Sequence, residues 1–241
     1  MKKDENDLSQ KILKMFKKVG MDHFFGDYFD ARFYVADLIA KKHVQMILDI
    51  GCGAGVLLNC ANASIKIGID TSFDSLKMAK ILNSKMELIQ ADATNLPFRD
   101  DIFSDIIGMH LVPVVKTFQG EDWKKSIDEM KRISSKKCKI ILTGANRMSI
   151  HFKKTHSLES RRDYLTYNEQ SEYFQDQFQV ESEGYGPYSK KIMYPLKIIH
   201  KIPDSIVKNL KINWLLYRIL RSSKFLKNGR SYVMICKKTK K

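Results

Sequence analysis

Three aspartates stand out for where they fall along the chain. Asp49 closes an apolar run, Met46-Ile47-Leu48, and opens directly onto Ile50-Gly51-Cys52-Gly53-Ala54-Gly55. Glycines at alternate positions remove the Cβ atoms, which frees the backbone for tight turns and lets a ligand approach it directly. Asp70 closes a second run, Ile65-Lys66-Ile67-Gly68-Ile69, about twenty residues after the first glycine. At that distance from a glycine loop, nucleotide-binding α/β folds place a carboxylate on ribose hydroxyls, and one carboxylate can accept from both of a vicinal pair. Asp92 follows a third run, Met86-Glu87-Leu88-Ile89-Gln90-Ala91, and precedes Ala93. Aspartate also begins turns and caps helices. Three in succession at strand ends point instead to one ligand-binding edge.

The elements that must position these acids are strands and helices in alternation. Ile47, Leu48 and Ile50 suit a strand covered on both faces of a parallel sheet. Val56 to Ala61 is expected to form a short helix whose N-terminus faces the loop's ligand, and Ser72 to cap a helix running to about Leu82. That helix has Phe73, Leu76, Met78, Ala79 and Leu82 as its expected buried positions. A fourth strand, Asp105 to His110, follows the loop Thr94 to Phe103. A helix from about Glu121 to Ile133 then has Trp123, Ile127, Met130 and Ile133 on one stripe, and Lys139 to Thr143 is a fifth strand. Such alternation implies right-handed crossovers and a mainly parallel sheet. Glu169 to Phe178 reads as a further helix, Phe178 to Glu183 as a strand, and Ser231 to Lys237 as the closing strand.

Before the sheet, residues 1–45 form a helical prelude, with Leu8, Ile12, Met15, Phe16 and Val19 on one helix and Phe33, Val35, Ala36, Leu38 and Ile39 on another. Between them, Phe24 to Phe29 is an aromatic cluster that reads either as a staple onto the core or as a flap over a ligand, with Arg32 placed one helical turn after Tyr28. The rest, residues 46–241, is one domain. It carries an insertion at about 190–228 that has apolar residues near helical spacing, Leu196, Ile199, Ile206 and Leu210 among them, and a cationic polar side including Lys197, Lys201 and Lys208. Pro195 and Pro203 divide it. A lysine-rich amphipathic segment with Trp214 describes a helix lying in a membrane interface; the alternative is a lid packed on the core with solvated lysines.

Composition bounds the function. The 42 Lys and Arg against 27 Asp and Glu leave a net charge of +15, which favours anionic partners: nucleic acid, an acidic membrane surface or a phosphorylated substrate. The four cysteines, Cys52, Cys60, Cys138 and Cys236, form no CxxC pair, so buried thiols in a reduced, cytoplasmic protein are expected, with no metal site. The N-terminus is charged and leads into no apolar core of signal-peptide type, and no stretch is apolar for long enough to span a bilayer.

Taken in order, Ile47 to Gly55, Gly68-Ile69-Asp70, Ala91-Asp92-Ala93, Leu96-Pro97-Phe98 and Phe103-Ser104-Asp105 resemble the successive motifs of the class I S-adenosylmethionine-dependent methyltransferases, in particular the type 11 group. The resemblance covers about residues 46 to 145. It implies a Rossmann-like α/β fold, with a seven-stranded mainly parallel sheet flanked by helices and its last strand antiparallel. It also implies S-adenosyl-L-methionine as cofactor, held by Asp49, Gly51, Cys52, Gly53, Gly55, Asp70, Thr71, Asp92, Ala93 and Met109. In it Asp49 serves the amino end through the loop, Asp70 the ribose, and Asp92 with Ala93 the adenine. The glycine spacing separates this from a dinucleotide site, because GxGxxG would need a glycine where Val56 stands.

His110, at the end of the fourth strand, is the candidate catalytic residue, as general base or as a side chain that shapes the site; His151 and His156 are weaker candidates. Relatives that follow this histidine with an acid and a second histidine differ from the apolar Leu111-Val112-Pro113-Val114-Val115 here, which suggests a greasy or neutral small-molecule acceptor. A lipid, isoprenoid or glycan-linked acceptor at a membrane surface is the leading expectation. RNA or DNA methylation is the alternative, and a non-catalytic methyltransferase-like binding subunit is the alternative of another class.

Overall fold

The computed structural model of the chain describes residues 31–109, 122–145, 166–185 and 231–239. The first prelude helix, the aromatic cluster at 24–29, His110 with the apolar segment after it, His151, His156 and the insertion at 190–228 lie outside the described residues.

In chain order the elements are α1 (Ala31–Lys41), β1 (Val44–Ile50), α2 (Val56–Cys60), β2 (Ala63–Asp70), α3 (Phe73–Leu82), β3 (Glu87–Gln90), β4 (Phe103–Met109), α4 (Asp122–Ile133), β5 (Ser134–Ala145), α5 (Tyr167–Phe174), β6 (Phe178–Tyr185) and β7 (Ser231–Lys238). The strands form one seven-stranded sheet in the order β3-β2-β1-β4-β5-β7-β6. Strands β1 to β5 pair in parallel, and β7 lies antiparallel between β5 and β6. The expected Rossmann-like α/β sheet with its last strand antiparallel is therefore the one observed. The order reverses at β1, between β2 and β4, and open α/β sheets bind ligands outside the strand ends at such a point.

Burial explains the strand compositions. On one face, Ile47, Ile107, Ile141 and Val233 meet Val35, Ala36 and Ile39 of α1 and Leu57 and Leu58 of α2. On the other, Leu48, Ile50, Ile106, Ile140 and Leu142 meet Trp123, Ile127, Met130 and Ile133 of α4 and Phe174 of α5. A central strand covered on both faces has no polar side, which is why its residues run apolar without alternation.

Several boundaries and burials differ from the sequence reading. Ser72 does cap α3, its hydroxyl accepting from Ser75 N, and Leu76, Ala79 and Leu82 are buried. Phe73 and Met78, however, are 58% and 39% exposed. A helix on an outer layer buries one stripe, and Leu76, Ala79 and Leu82 already fill it. Strand β5 begins at Ser134 directly from α4, ahead of the expected start at Lys139, with a register shift against β4 between Phe103 and Asp105. Ser134 is fully buried and its hydroxyl donates to Met130 O at 2.5 Å, so the chain passes from helix to strand without a loop. Helix α5 starts two residues earlier than expected and ends by Phe174, because Thr166 and Glu169 form a reciprocal capping box.

At the far edge, Tyr232 of β7 crosses from Gly144, which carries no Cβ to obstruct the ring, to α5, where its hydroxyl donates to Gln170 Oε1 at 2.7 Å. Both side chains are 2% exposed. Burial pushes the Tyr232 phenol above its ordinary range, so it remains a donor. Tyr232→Phe leaves the Gln170 oxygen unpaired and is expected to lower stability by about 1–2 kcal/mol. In urea unfolding this appears as a reduced midpoint with an unchanged slope.

Candidate functional site

The glycine loop is held open by its own backbone. Gly51, Gly53 and Gly55 have φ of 69°, 52° and 70°, values that side chains disfavour. Gly55 N donates to Cys52 O at 2.9 Å and Cys52 N to Ile69 O at 2.9 Å, so the loop folds back over the end of β2. The constraints differ in kind for Gly55 and Gly53: a Cβ at Gly55 would meet Ala79 Cβ and Met86 Sδ at 3.0 Å, whereas a Cβ at Gly53 would meet nothing within 4 Å. Gly55 is glycine for packing, and Gly53 faces open space.

Asp70 ties these parts together. Its Oδ2 accepts from Gly53 N at 2.9 Å and its Oδ1 from Ser72 N at 2.8 Å. The carboxylate thus joins the glycine loop to the start of α3, and each oxygen keeps a lone pair for a further donor. Beside it opens a cavity of about 270 Å³ lined by Ile50, Gly51, Ile69, Asp70, Thr71, Ala91, Asp92, Ala93, Met109 and Ser126. Thr71 is fixed by Gln90, whose Nε2 donates to its carbonyl at 2.9 Å. Asp92 Oδ1 accepts from Thr94 N and Thr94 Oγ1, both at 2.8 Å, which turns the chain away from β3.

Of the residues expected at the site, the fold brings Gly51, Asp70, Thr71, Asp92, Ala93 and Met109 to one cavity, with Gly53 bonded to Asp70 at its rim. Asp49, Cys52 and Gly55 do not line it. Cys52 is buried beneath the loop, where Gly68 leaves room for its sulfur, and burial followed by the charges of Asp49 and Asp70 pushes its thiol well up, so it is inert packing. Ile50, Ile69 and Ala91 also line the cavity; their signal in the sequence was their position beside the motif acids. Ser126 had none, since only the docking of α4 brings it there.

Asp49 is 2% exposed, and no hydrogen-bond partner for its carboxyl is found among the described residues. Burial, with the negative Asp70 adding to it, raises its pKa well above the ordinary value. A buried carboxyl with no such partner among the described residues fits a cationic group that arrives with a ligand, and the open space before Gly53 fits close contact of that ligand with the backbone.

Residues 48–142 match a protein-family model described as "Methyltransferase domain". Over this stretch the chain is similar to methyltransferase domains. Over 202 residues the chain is 26% identical to an uncharacterized protein of Methanocaldococcus jannaschii, covering 81% of this chain and 79% of that one. It is 32% identical over 89 residues to a tRNA (carboxymethyluridine(34)-5-O)-methyltransferase of Arabidopsis thaliana, which is 37% of this chain and 21% of that protein. Among solved structures, a SAM-dependent methyltransferase of Thermotoga maritima, described as a possible histamine N-methyltransferase, shares the fold with a TM-score of 0.58 at 14% identity, over 95% of this chain and 99% of that one.

Two measurements probe the site. Gly53→Ala meets no neighbour, so it is expected to cost only about 1 kcal/mol of stability for its positive φ. The same change places a methyl group in the open space before the loop, so if a ligand meets the backbone there, calorimetry should show S-adenosylhomocysteine affinity falling by about tenfold or more. Gly55→Ala should show the reverse, with a loss of stability of about 1–3 kcal/mol from strain and overpacking.

The second concerns Asp49. Its folded pKa lies above the unfolded value near ~4, so the folded state binds the proton more tightly, and its contribution is present below that pH and lost as pH rises through the folded value. Asp49→Asn is therefore expected to raise the melting temperature of the cofactor-free protein at neutral pH and to flatten its fall with pH. An unchanged pH dependence would show that Asp49 is not the group responsible.

Proposed function

We propose that the chain transfers the methyl group of S-adenosylmethionine to a small, weakly polar acceptor. In this reading Asp70 accepts from the ribose hydroxyls, Asp92 and Ala93 border the adenine, Gly51, Gly53 and Thr71 present backbone to the cofactor, and Asp49 serves its amino end. Cys52 and Gly55 support the loop from behind. The observation that carries the reading is the Asp70 carboxylate, held by two backbone N–H groups with one lone pair left on each oxygen at the cavity edge.

The bound sulfonium supplies an activated methyl group, so the residues of the chain have to align the acceptor and exclude water. Met109 lines the cavity, and His110 is the next residue, the candidate to remove a proton from an alcohol, phenol or amine acceptor. The apolar Leu111 to Val115 then favours an uncharged acceptor. A lipid, isoprenoid or glycan-linked acceptor rests on the basic amphipathic stretch at 190–228, which is suited to an anionic membrane surface; among the described residues no helix is long and apolar enough to cross a membrane.

Asp70→Asn is expected to weaken S-adenosylhomocysteine binding by about tenfold or more, with a matching loss of its thermal stabilisation of the protein. An affinity within twofold of the unaltered chain would remove Asp70 from the site. For the acceptor, methyl-labelled cofactor offered with a lipid extract should label the lipid fraction, and flotation should show binding to anionic vesicles that charge reversal at Lys197, Lys201 and Lys208 abolishes.

A second reading, RNA methylation, draws on the net charge of +15 and on the similarity over 89 residues to a tRNA methyltransferase. It requires label transfer to RNA and an affinity that falls steeply with salt. A flat salt response would count against it.

A further inference from the structure

Helix α4 carries Ser126, Glu129 and Arg132 at three-residue intervals, which places them along one side of the helix. Ser126 lines the cavity. Glu129 and Arg132, successive turns further on, hold the loop that continues from the cavity-lining residues Ala91, Asp92 and Ala93. Glu129 Oε2 accepts from Leu96 N at 2.6 Å. Arg132 Nη2 donates to Leu96 O at 3.1 Å, and its Nη1 donates to Phe98 O and to Asp100 Oδ1, both at 2.7 Å. The two side chains also meet as a fork, Nε to Oε1 at 2.7 Å and Nη2 to Oε2 at 2.8 Å. Two backbone N–H groups complete the seam, Asp101 N donating to Arg132 O and Ile102 N to Ile133 O, each at 3.0 Å.

An i,i+3 ion pair on a helix surface contributes little by itself. This pair differs because three of its bonds end on the loop backbone at Leu96 and Phe98, and because the side chains are only 19% and 31% exposed. The guanidinium keeps the Glu129 carboxyl below the usual carboxylate range, so the pair is charged at neutral pH. The loop it grips follows directly on Ala91, Asp92 and Ala93, which line the cavity together with Ser126.

We infer that Glu129 and Arg132 are positioning residues for the cofactor: their fork fixes the loop after β3 and so sets the spacing between Ser126 and the wall at Ala91 to Ala93 where the adenine end lies. The inference rests on the assignment of the cavity to the cofactor. It concerns affinity for the adenosine end of the ligand, and neither residue touches the reacting atoms.

The full chain and its variants are titrated calorimetrically with S-adenosylhomocysteine and with 5′-methylthioadenosine, which keeps the adenosine and lacks the amino-acid arm. Melting temperature and amide exchange at 92–98 are followed in parallel. Glu129→Gln is expected to raise both dissociation constants by the same factor, about tenfold, and to speed exchange at Leu96. Arg132→Lys keeps the charge and loses the planar fork, so an intermediate rise of about three- to fivefold is expected. A variant that melts earlier but binds both ligands within twofold of the unaltered chain would overturn the inference and leave an ordinary stabilising ion pair. If Glu129→Gln does not fold, Arg132→Lys decides by the same criterion. Failure of the unaltered chain to bind either ligand would instead overturn the cavity assignment, and the inference with it.

Discussion

The structure around the site depends on one carboxylate. Asp70 ends β2 and accepts simultaneously from Gly53 N in the glycine loop and from Ser72 N at the head of α3. Charge-assisted bonds to backbone N–H groups are stronger and shorter than neutral ones. They hold a loop whose three positive-φ glycines give it little conformational preference of its own. The same anion leaves lone pairs toward the cavity, so the group that organises the loop is also the one best placed to receive a ligand's hydroxyls.

That arrangement needs a rigid platform, and the sheet provides it. Strands β1 and β4 are covered by α1 and α2 on one face and by α4 on the other, so their carboxyl ends are fixed from both sides. Asp49 tests how much the platform tolerates. A carboxyl 2% exposed, beside a second acid, is unfavourable in its charged form, and its raised pKa expresses that cost. Packing around it is strong enough to hold an electrostatically strained group in place, and strained groups of this kind collect where ligands bind.

The opposing wall is secured differently. Beyond Ala91 the loop after β3 is attached to α4, by a charged fork made by Glu129 and Arg132 and by backbone bonds from Asp101 and Ile102. One wall is thus built into the sheet and the other is bolted to a helix. Aromatic contact of Phe98 with Phe103, at 4.9 Å between ring centroids, adds an apolar anchor to the same loop.

Much of this was legible before any coordinates. Local chemistry determined the glycine loop, the aspartates at the strand ends, the Ser72 cap and the apolar stripe of α4, because each depends on residues close in sequence. The mainly parallel sheet followed from the alternation of elements and the handedness of their crossovers. What the tertiary structure alone decided depends on partners far apart in the chain. Examples are the exposure of Phe73 and Met78, the direct passage from α4 into β5, the arrival of Ser126 at the cavity, the burial of Tyr232 against Gly144, and the bonds from Glu129 and Arg132 to a loop about thirty residues earlier. A motif records which groups a chain must bring to a ligand, whereas the depth at which each is buried and the partner that holds it are properties of the packed whole.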